Sequence, residues 1–139
     1  MCLYFTDVGL LSFILGIRKA EQITRDPIVG SIFENLVVLE CLKSRYNRGK
    51  MSDLYFYRDS NNNEVDIIFQ DGRELVAIEI KSSSTYSSEQ LKGLRRFNKL
   101  TTSVGRSVLV YNGKNITLDN CELINFRNID RLFSEAEFS

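Results

Sequence analysis

Apolar and polar positions change period along this chain, and the change divides it into helices and strands. Glu64-Val65-Asp66-Ile67-Ile68-Phe69-Gln70 and Leu75-Val76-Ala77-Ile78-Glu79-Ile80-Lys81 are short runs rich in β-branched residues, which predicts two strands. Asp71-Gly72 between them is the strongest hairpin signal in the chain. Leu54-Tyr55-Phe56-Tyr57-Arg58 predicts an earlier strand that turns at Asn61-Asn62-Asn63, and Ser107-Val108-Leu109-Val110-Tyr111 predicts a last core strand. Ile116 to Phe126 adds a small edge hairpin. Ser31-Ile32-Phe33-Glu34 is a capping-box signature that opens a helix to about Tyr46, apolar nearly all round and therefore buried. A second helix is expected from about Glu89 to Leu100, after the serine-rich stretch Ser82 to Ser88. Shorter helices are expected from a Thr6 cap through Ile14, ended by Gly16, and near Asp130. Residues 18–30, which hold the only proline, Pro27, read as a connector, and Asn47 to Ser52 as a basic turn.

The order helix, three strands, helix, strand is that of an α/β sandwich: a mixed central sheet of about four strands flanked by helices. No internal repeat or low-complexity linker interrupts it. The expected organisation is a single domain over 1–139, with an N-terminal helix and connector in 1–30, a core in 31–112, and an edge hairpin and C-terminal helix in 113–139.

The pattern breaks where a strand that should end in its core ends in charge. Successive strand side chains point to opposite faces, so Glu79 and Lys81 share one face and Ile78 and Ile80 the other. A carboxylate and an ammonium projecting together can hold a divalent cation beside a group that activates water or steadies a phosphate. With Asp71-Gly72 as a two-residue loop, Gln70 pairs with Arg73 and Asp66 lies opposite Ala77, diagonal to Glu79 at roughly 7 to 8 Å. A four-residue loop would set Asp66 directly opposite Glu79; a three-residue loop would put the two on opposite faces. Plainer explanations exist for each residue. An N3 glutamate in a capping box accounts for Glu34, a solvent-facing position on an amphipathic strand for Asp66, and an exposed ion pair for Glu79 and Lys81. Jointly, Asp66 and Glu79 on one face repel unless a cation or Lys81 stands between them.

Composition narrows the chemistry. The 139 residues carry 18 Lys and Arg against 18 Asp and Glu, so a nucleic-acid site must be a local patch. The chain contains no histidine, which argues against His-based triads, His-metal nucleases and zinc hydrolases and leaves carboxylates, lysine and hydroxyls as the available chemistry. Neither Gly49-Lys50 nor Gly113-Lys114 has the rest of a phosphate-binding loop, so this chain alone is not expected to hydrolyse ATP. Three scattered cysteines, Cys2, Cys41 and Cys121, lack metal-ligand spacing, and a reduced, cytoplasmic setting is the simplest reading. No apolar run approaches a membrane span, and Met1 to Phe5 does not read as a secretory signal.

A second signal lies in the helix after the charged strand end. Lys92, Arg95, Arg96 and Lys99 fall at i, i+3, i+4 and i+7 and form one basic stripe able to line a phosphate backbone without reading sequence. A solvated helix face explains the same spacing. Lys43, Arg45, Arg48 and Lys50 form another cluster, where charge favourable to a helix C-terminus suffices.

A Glu on an early helix, an Asp on a strand and Glu-x-Lys on the next resembles the PD-(D/E)xK nuclease superfamily, with the Pro-Asp signature reduced here to Val65-Asp66. At finer grain, Leu3-Tyr4-Phe5-Thr6-Asp7-Val8-Gly9-Leu10, Gly30-Ser31-Ile32-Phe33-Glu34-Asn35, Glu64-Val65-Asp66 and Ile78-Glu79-Ile80-Lys81 look like the uncharacterised domain that follows an AAA-type ATPase module in bacteria and archaea. The resemblance implies a restriction-endonuclease-like fold and a Mg²⁺- or Mn²⁺-dependent DNA phosphodiesterase. In it Asp66, Glu79 and the Ile80 carbonyl hold metal, Glu34 completes the shell or binds a second ion, and Lys81 orients the attacking water. It also implies an ATPase partner, and duplex cutting would need a homodimer or the tethered ATPase. Two other readings stand beside it: a catalytically silent nuclease fold that binds nucleic acid or a partner and regulates the ATPase, and a packing domain without a ligand.

Overall fold

The computed structural model describes residues 27–47, 49 and 54–134. Helix α1 (Pro27–Asn47) is followed by strands β1 (Tyr55–Arg58), β2 (Glu64–Asp71) and β3 (Glu74–Ile80). A 3-10 turn (Ser88–Leu91) then runs into α2 (Lys92–Leu100), followed by β4 (Val104–Tyr111), β5 (Ile116–Thr117), β6 (Glu122–Asn125), a second 3-10 turn (Phe126–Asn128) and α3 (Arg131–Ser134). The architecture is mixed α/β. Its sheet has six strands rather than about four, in the order β1-β2-β3-β4-β6-β5. The additional strands come from the C-terminal segment. β6 is no edge element but pairs in parallel with β4, burying Leu123 and Ile124, while two-residue β5 closes the margin.

β1, β2 and β3 form an antiparallel meander, and β3, β4 and β6 run parallel. Helices cover both faces, which is why β3 is apolar on both. On one face Phe33, Val37 and Cys41 of α1, with Ile129, Leu132 and Phe133 near α3, pack on Ile67, Phe69, Val76, Ile78, Ile80, Val108 and Val110. On the other, Leu91, Leu94 and Phe97 cover Val65, Ile68, Ala77, Leu109 and Tyr111.

Several boundaries differ from expectation. Helix α1 begins at Pro27, so Ser31 and Glu34 are interior residues and form no capping box; the supposed connector supplies the first turn, with Pro27 at a helix start where its missing N–H costs nothing. Arg45 is buried with its guanidinium 4.9 Å from the Phe69 ring centre, which removes it from the surface cluster proposed with Lys43. Strand β4 starts at Val104, three residues before the apolar run suggests. The expected Thr6–Ile14 helix lies outside the described residues, as do Arg48 and Lys50. No described helix is long and apolar enough to cross a membrane.

Candidate acidic centre

The β2–β3 hairpin closes on the pair Asp71↔Glu74, with Gly72-Arg73 as its loop. Gly72 carries φ +62°, and glycine in the left-handed region at the first loop position is the pattern of a type II′ turn. This corrects the Gln70–Arg73 register: Ala77 pairs with Ile68, not Asp66. Carried on past Ile67↔Ile78, the register brings Asp66 to the level of Glu79.

The ladder changes at that level. Between Tyr55↔Ile68 and Tyr57↔Val65, β2 has one residue more than β1, a bulge that spans Asp66 and Ile67. The Asp66 side chain takes the place of a backbone acceptor: the Ile80 N–H donates to Asp66 Oδ2 at 2.7 Å. The bulge therefore turns an aspartate, poor in strand interiors, into part of the strand's hydrogen bonding.

Glu79 is 6% exposed, and its Oε1 lies 3.5 Å from the Nζ of half-exposed Lys81. Its buried Oε2 has no hydrogen-bond donor. The Asp66 carboxyl lies within hydrogen-bonding reach of the Glu79 side chain. Burial first, then the Asp66 charge, push the Glu79 carboxyl up to about 9, against the opposing pull of Lys81. With Asp66 half-buried beside it, Glu79 favours its protonated form, and a proton held between the two carboxyls would supply the donor that ionised Glu79 lacks. Asp66 is likewise raised by burial, opposed by the Ile80 N–H.

Glu34 approaches from α1. Its carboxyl is raised by burial and then by the Asp66 charge, so it belongs to the same electrostatic neighbourhood. Among the described residues, however, no three acidic, cysteine or histidine side chains converge closely enough to hold a metal ion. The structure thus unites Asp66, Glu79 and Lys81, sets Glu34 beside them, and points the Ile80 side chain into the opposite core.

Helix α2 closes the centre from above, and here sequence reasoning overlooks Gly93. A Cβ at that position would lie 2.6 Å from the Glu64 carbonyl oxygen and 3.4 Å from Glu79 Oε2. Only glycine lets the helix settle this close, and an isolated glycine inside an amphipathic helix was the available signal. Lys92, Arg95, Arg96 and Lys99 are all exposed. They are not equivalent: Lys92 pairs with Glu89, Arg96 donates to Asn63, and Arg95 and Lys99 line a groove facing Thr117 to Glu122.

A family model described as Domain of unknown function (DUF4143) matches residues 29–129, which include Glu34, Asp66, Glu79, Lys81 and all of α2. No curated protein matches the chain. The chain belongs to the DUF4143 family.

Proposed function

We propose that this domain is a divalent-cation-dependent phosphodiesterase acting on DNA, built as a restriction-endonuclease-like sandwich of PD-(D/E)xK type. On this reading it works in the cytoplasm beside an AAA-type ATPase module. The observation that carries it is buried Glu79 beside half-buried Asp66, with Lys81 alongside. Asp66 serves the strand by accepting the Ile80 N–H, but burying Glu79 against it costs stability that an apolar residue would not.

The donor set fits a hard cation. Asp66 and Glu79 offer carboxylate oxygens, one of them the orphaned Oε2, and the Ile80 carbonyl and Glu34 are the further donors; oxygen ligands suit Mg²⁺ or Mn²⁺. When bound there, the cation would supply Lewis acidity to the phosphate and a more acidic water. Lys81, anchored at its backbone by Val110 and half-exposed at its tip, orients the attacking water and steadies charge on the phosphate oxygens. As an ammonium it cannot take the water's proton, which leaves to solvent. Lys92, Arg95, Arg96 and Lys99 provide sequence-independent backbone contacts. One centre serves one strand, so duplex cutting goes with a homodimer or the tethered ATPase.

One observation favours a second reading, a silent nuclease fold that binds nucleic acid and regulates the ATPase: Glu34 does not complete a three-acid cluster. Supercoiled and branched DNA incubated with Mg²⁺ or Mn²⁺ separates the two. Cutting by the wild type that is lost in Asp66→Ala and Lys81→Ala supports the enzyme. Salt-sensitive binding by folded protein without cutting supports the regulatory domain.

A further inference from the structure

Parallel strands β3, β4 and β6 end side by side, and the loops that leave them enclose a groove of about 900 Å³. Ligands of α/β sheets bind outside the carboxyl ends of such strands. The groove draws Tyr86 from the loop after β3, Asn112 and Lys114 from the loop after β4, and Arg127 from the turn after β6. None of its lining residues is acidic and two are cationic, so it favours an anionic guest.

Its aromatic wall is built rather than incidental. Tyr86 is 41% exposed, and Tyr111 meets it edge-on with ring centres 6.5 Å apart. Tyr111 is itself fixed, 2% exposed and with its hydroxyl donating to the Lys114 carbonyl at 2.6 Å. Gly113 keeps this arrangement open, because a Cβ there would collide with the Tyr111 ring and lie 2.7 Å from the Ser84 carbonyl oxygen. The Asn112 carboxamide has no hydrogen bond among the described residues, while its backbone N–H is anchored on Ser83 at 2.9 Å. An exposed ring braced edge-on by a fixed one, an amide without a partner and two cations are the chemistry that takes a nucleobase and its phosphate.

The groove also adjoins the acidic centre. Ile80 pairs with Val110, and the same parallel register carried on one residue sets Lys81 beside Tyr111, one strand spacing of about 4.8 Å away and on the same face. Tyr86, in edge contact with Tyr111, thus opens onto the strand next to Lys81.

We infer that this groove is a single-strand subsite, in which Tyr86 stacks the base next to the phosphate held at Lys81. The inference rests on reading the acidic centre as a site for DNA phosphodiesters. It makes an unpaired strand, at a branch, flap or frayed end, the preferred substrate, because a base stacked inside a duplex cannot reach Tyr86.

The test is fluorescence anisotropy of an end-labelled single-stranded oligonucleotide and of its duplex. It is run in EDTA, so that binding is read without cleavage. Wild type should bind the single strand more tightly than the duplex; Tyr86→Ala should weaken single-strand binding by about tenfold and Tyr86→Phe should preserve it. Equal melting temperatures of the two variants guard against misfolding. Binding unchanged in Tyr86→Ala, or lost equally in Tyr86→Phe, overturns the subsite. Cleavage with Mg²⁺, measured separately, keeps the two readings apart. Tyr86-dependent binding without cutting sinks the catalytic reading alone, and cutting of duplex and single strand alike with Tyr86→Ala unimpaired sinks the subsite alone.

Discussion

Replacing Glu79 by glutamine should make the cation-free protein more stable above neutral pH and less sensitive to pH. The folded state raises the Glu79 carboxyl from its ordinary 4.5 to about 9. Between those values the folded chain holds a proton that the unfolded chain has released. Stability therefore falls as pH rises across this window, being greatest below the unfolded value and lost through the folded one. One whole proton sets a ceiling of about 1.4 kcal/mol per pH unit, or about 4 kcal/mol between about pH 5 and pH 8. Sharing of that proton with Asp66 and relaxation of the site reduce the expected loss to about 2 kcal/mol. The chain has no histidine, so among its side chains the raised carboxyls of this centre, Glu79 with Asp66 and Glu34, dominate the slope in this interval. Glutamine keeps the shape and the neutral charge of the protonated acid. Urea unfolding in EDTA at several pH values reads both effects. A wild type whose midpoint stays flat from about pH 5 to pH 8, or a Glu79→Gln variant with the same slope, would refute the shared-proton account.

Three further outcomes follow from other parts of the structure. Gly93→Ala should destabilise by about 1 to 2 kcal/mol in urea unfolding, because a Cβ 2.6 Å from the rigid Glu64 carbonyl costs more in overpacking than alanine's helix propensity returns; a neutral or stabilising result would mean that α2 slides freely over the centre. Leu109→Ala, at a position 0% exposed in β4 and walled by neighbouring strands on both sides, should cost about 2 to 5 kcal/mol through the cavity it leaves, and a loss under about 1 kcal/mol would show that this face of the sheet collapses to fill it. Mg²⁺ or Mn²⁺ titrated calorimetrically in two buffers of different ionisation enthalpy should release close to one proton near neutral pH and bind more tightly as pH rises, with both effects abolished in Asp66→Ala; binding without proton release would place the cation away from the acidic pair.

The legible part of this chain is its sequence of strands, because β-branched runs bounded by Gly72, Asn62 and Ser82 leave few alternatives. The neighbouring positions of Asp66, Glu79 and Lys81 were legible too, since period-two alternation and a short loop confine them. What escaped depends on events a local pattern does not encode. Register turned on which of Asp71-Gly72 and Gly72-Arg73 forms the loop, a one-residue difference decided by the single left-handed glycine. The bulge at Asp66 and Ile67 shows only against β1, a partner strand with its own register. Glu34 matched a capping box by composition, yet Pro27 begins the helix a turn earlier, so the match carried no structural weight. β6 looked like an edge because Cys121 to Phe126 is short, whereas its place beside β4 follows from parallel pairing far along the chain.

Had the β2–β3 ladder continued regularly, Asp66 would stand opposite Glu79 as a cross-strand pair, and its side chain would have no part in the strand's hydrogen bonding. At the bulge the half-buried Asp66 carboxyl instead satisfies the Ile80 N–H while facing the buried Glu79. A valine or isoleucine pair at Asp66 and Glu79 would pack against Val65, Ala77 and α2 without any desolvated charge, and such replacements of buried polar groups are commonly neutral or stabilising. The arrangement is thus locally self-consistent but globally unfavourable, with Gly93 shaped to admit it and Lys81 too exposed to neutralise it. Strain of that kind, concentrated at the carboxyl ends of parallel strands beside an aromatic and cationic groove, is the expected signature of a site whose affinity is for something other than the rest of the fold.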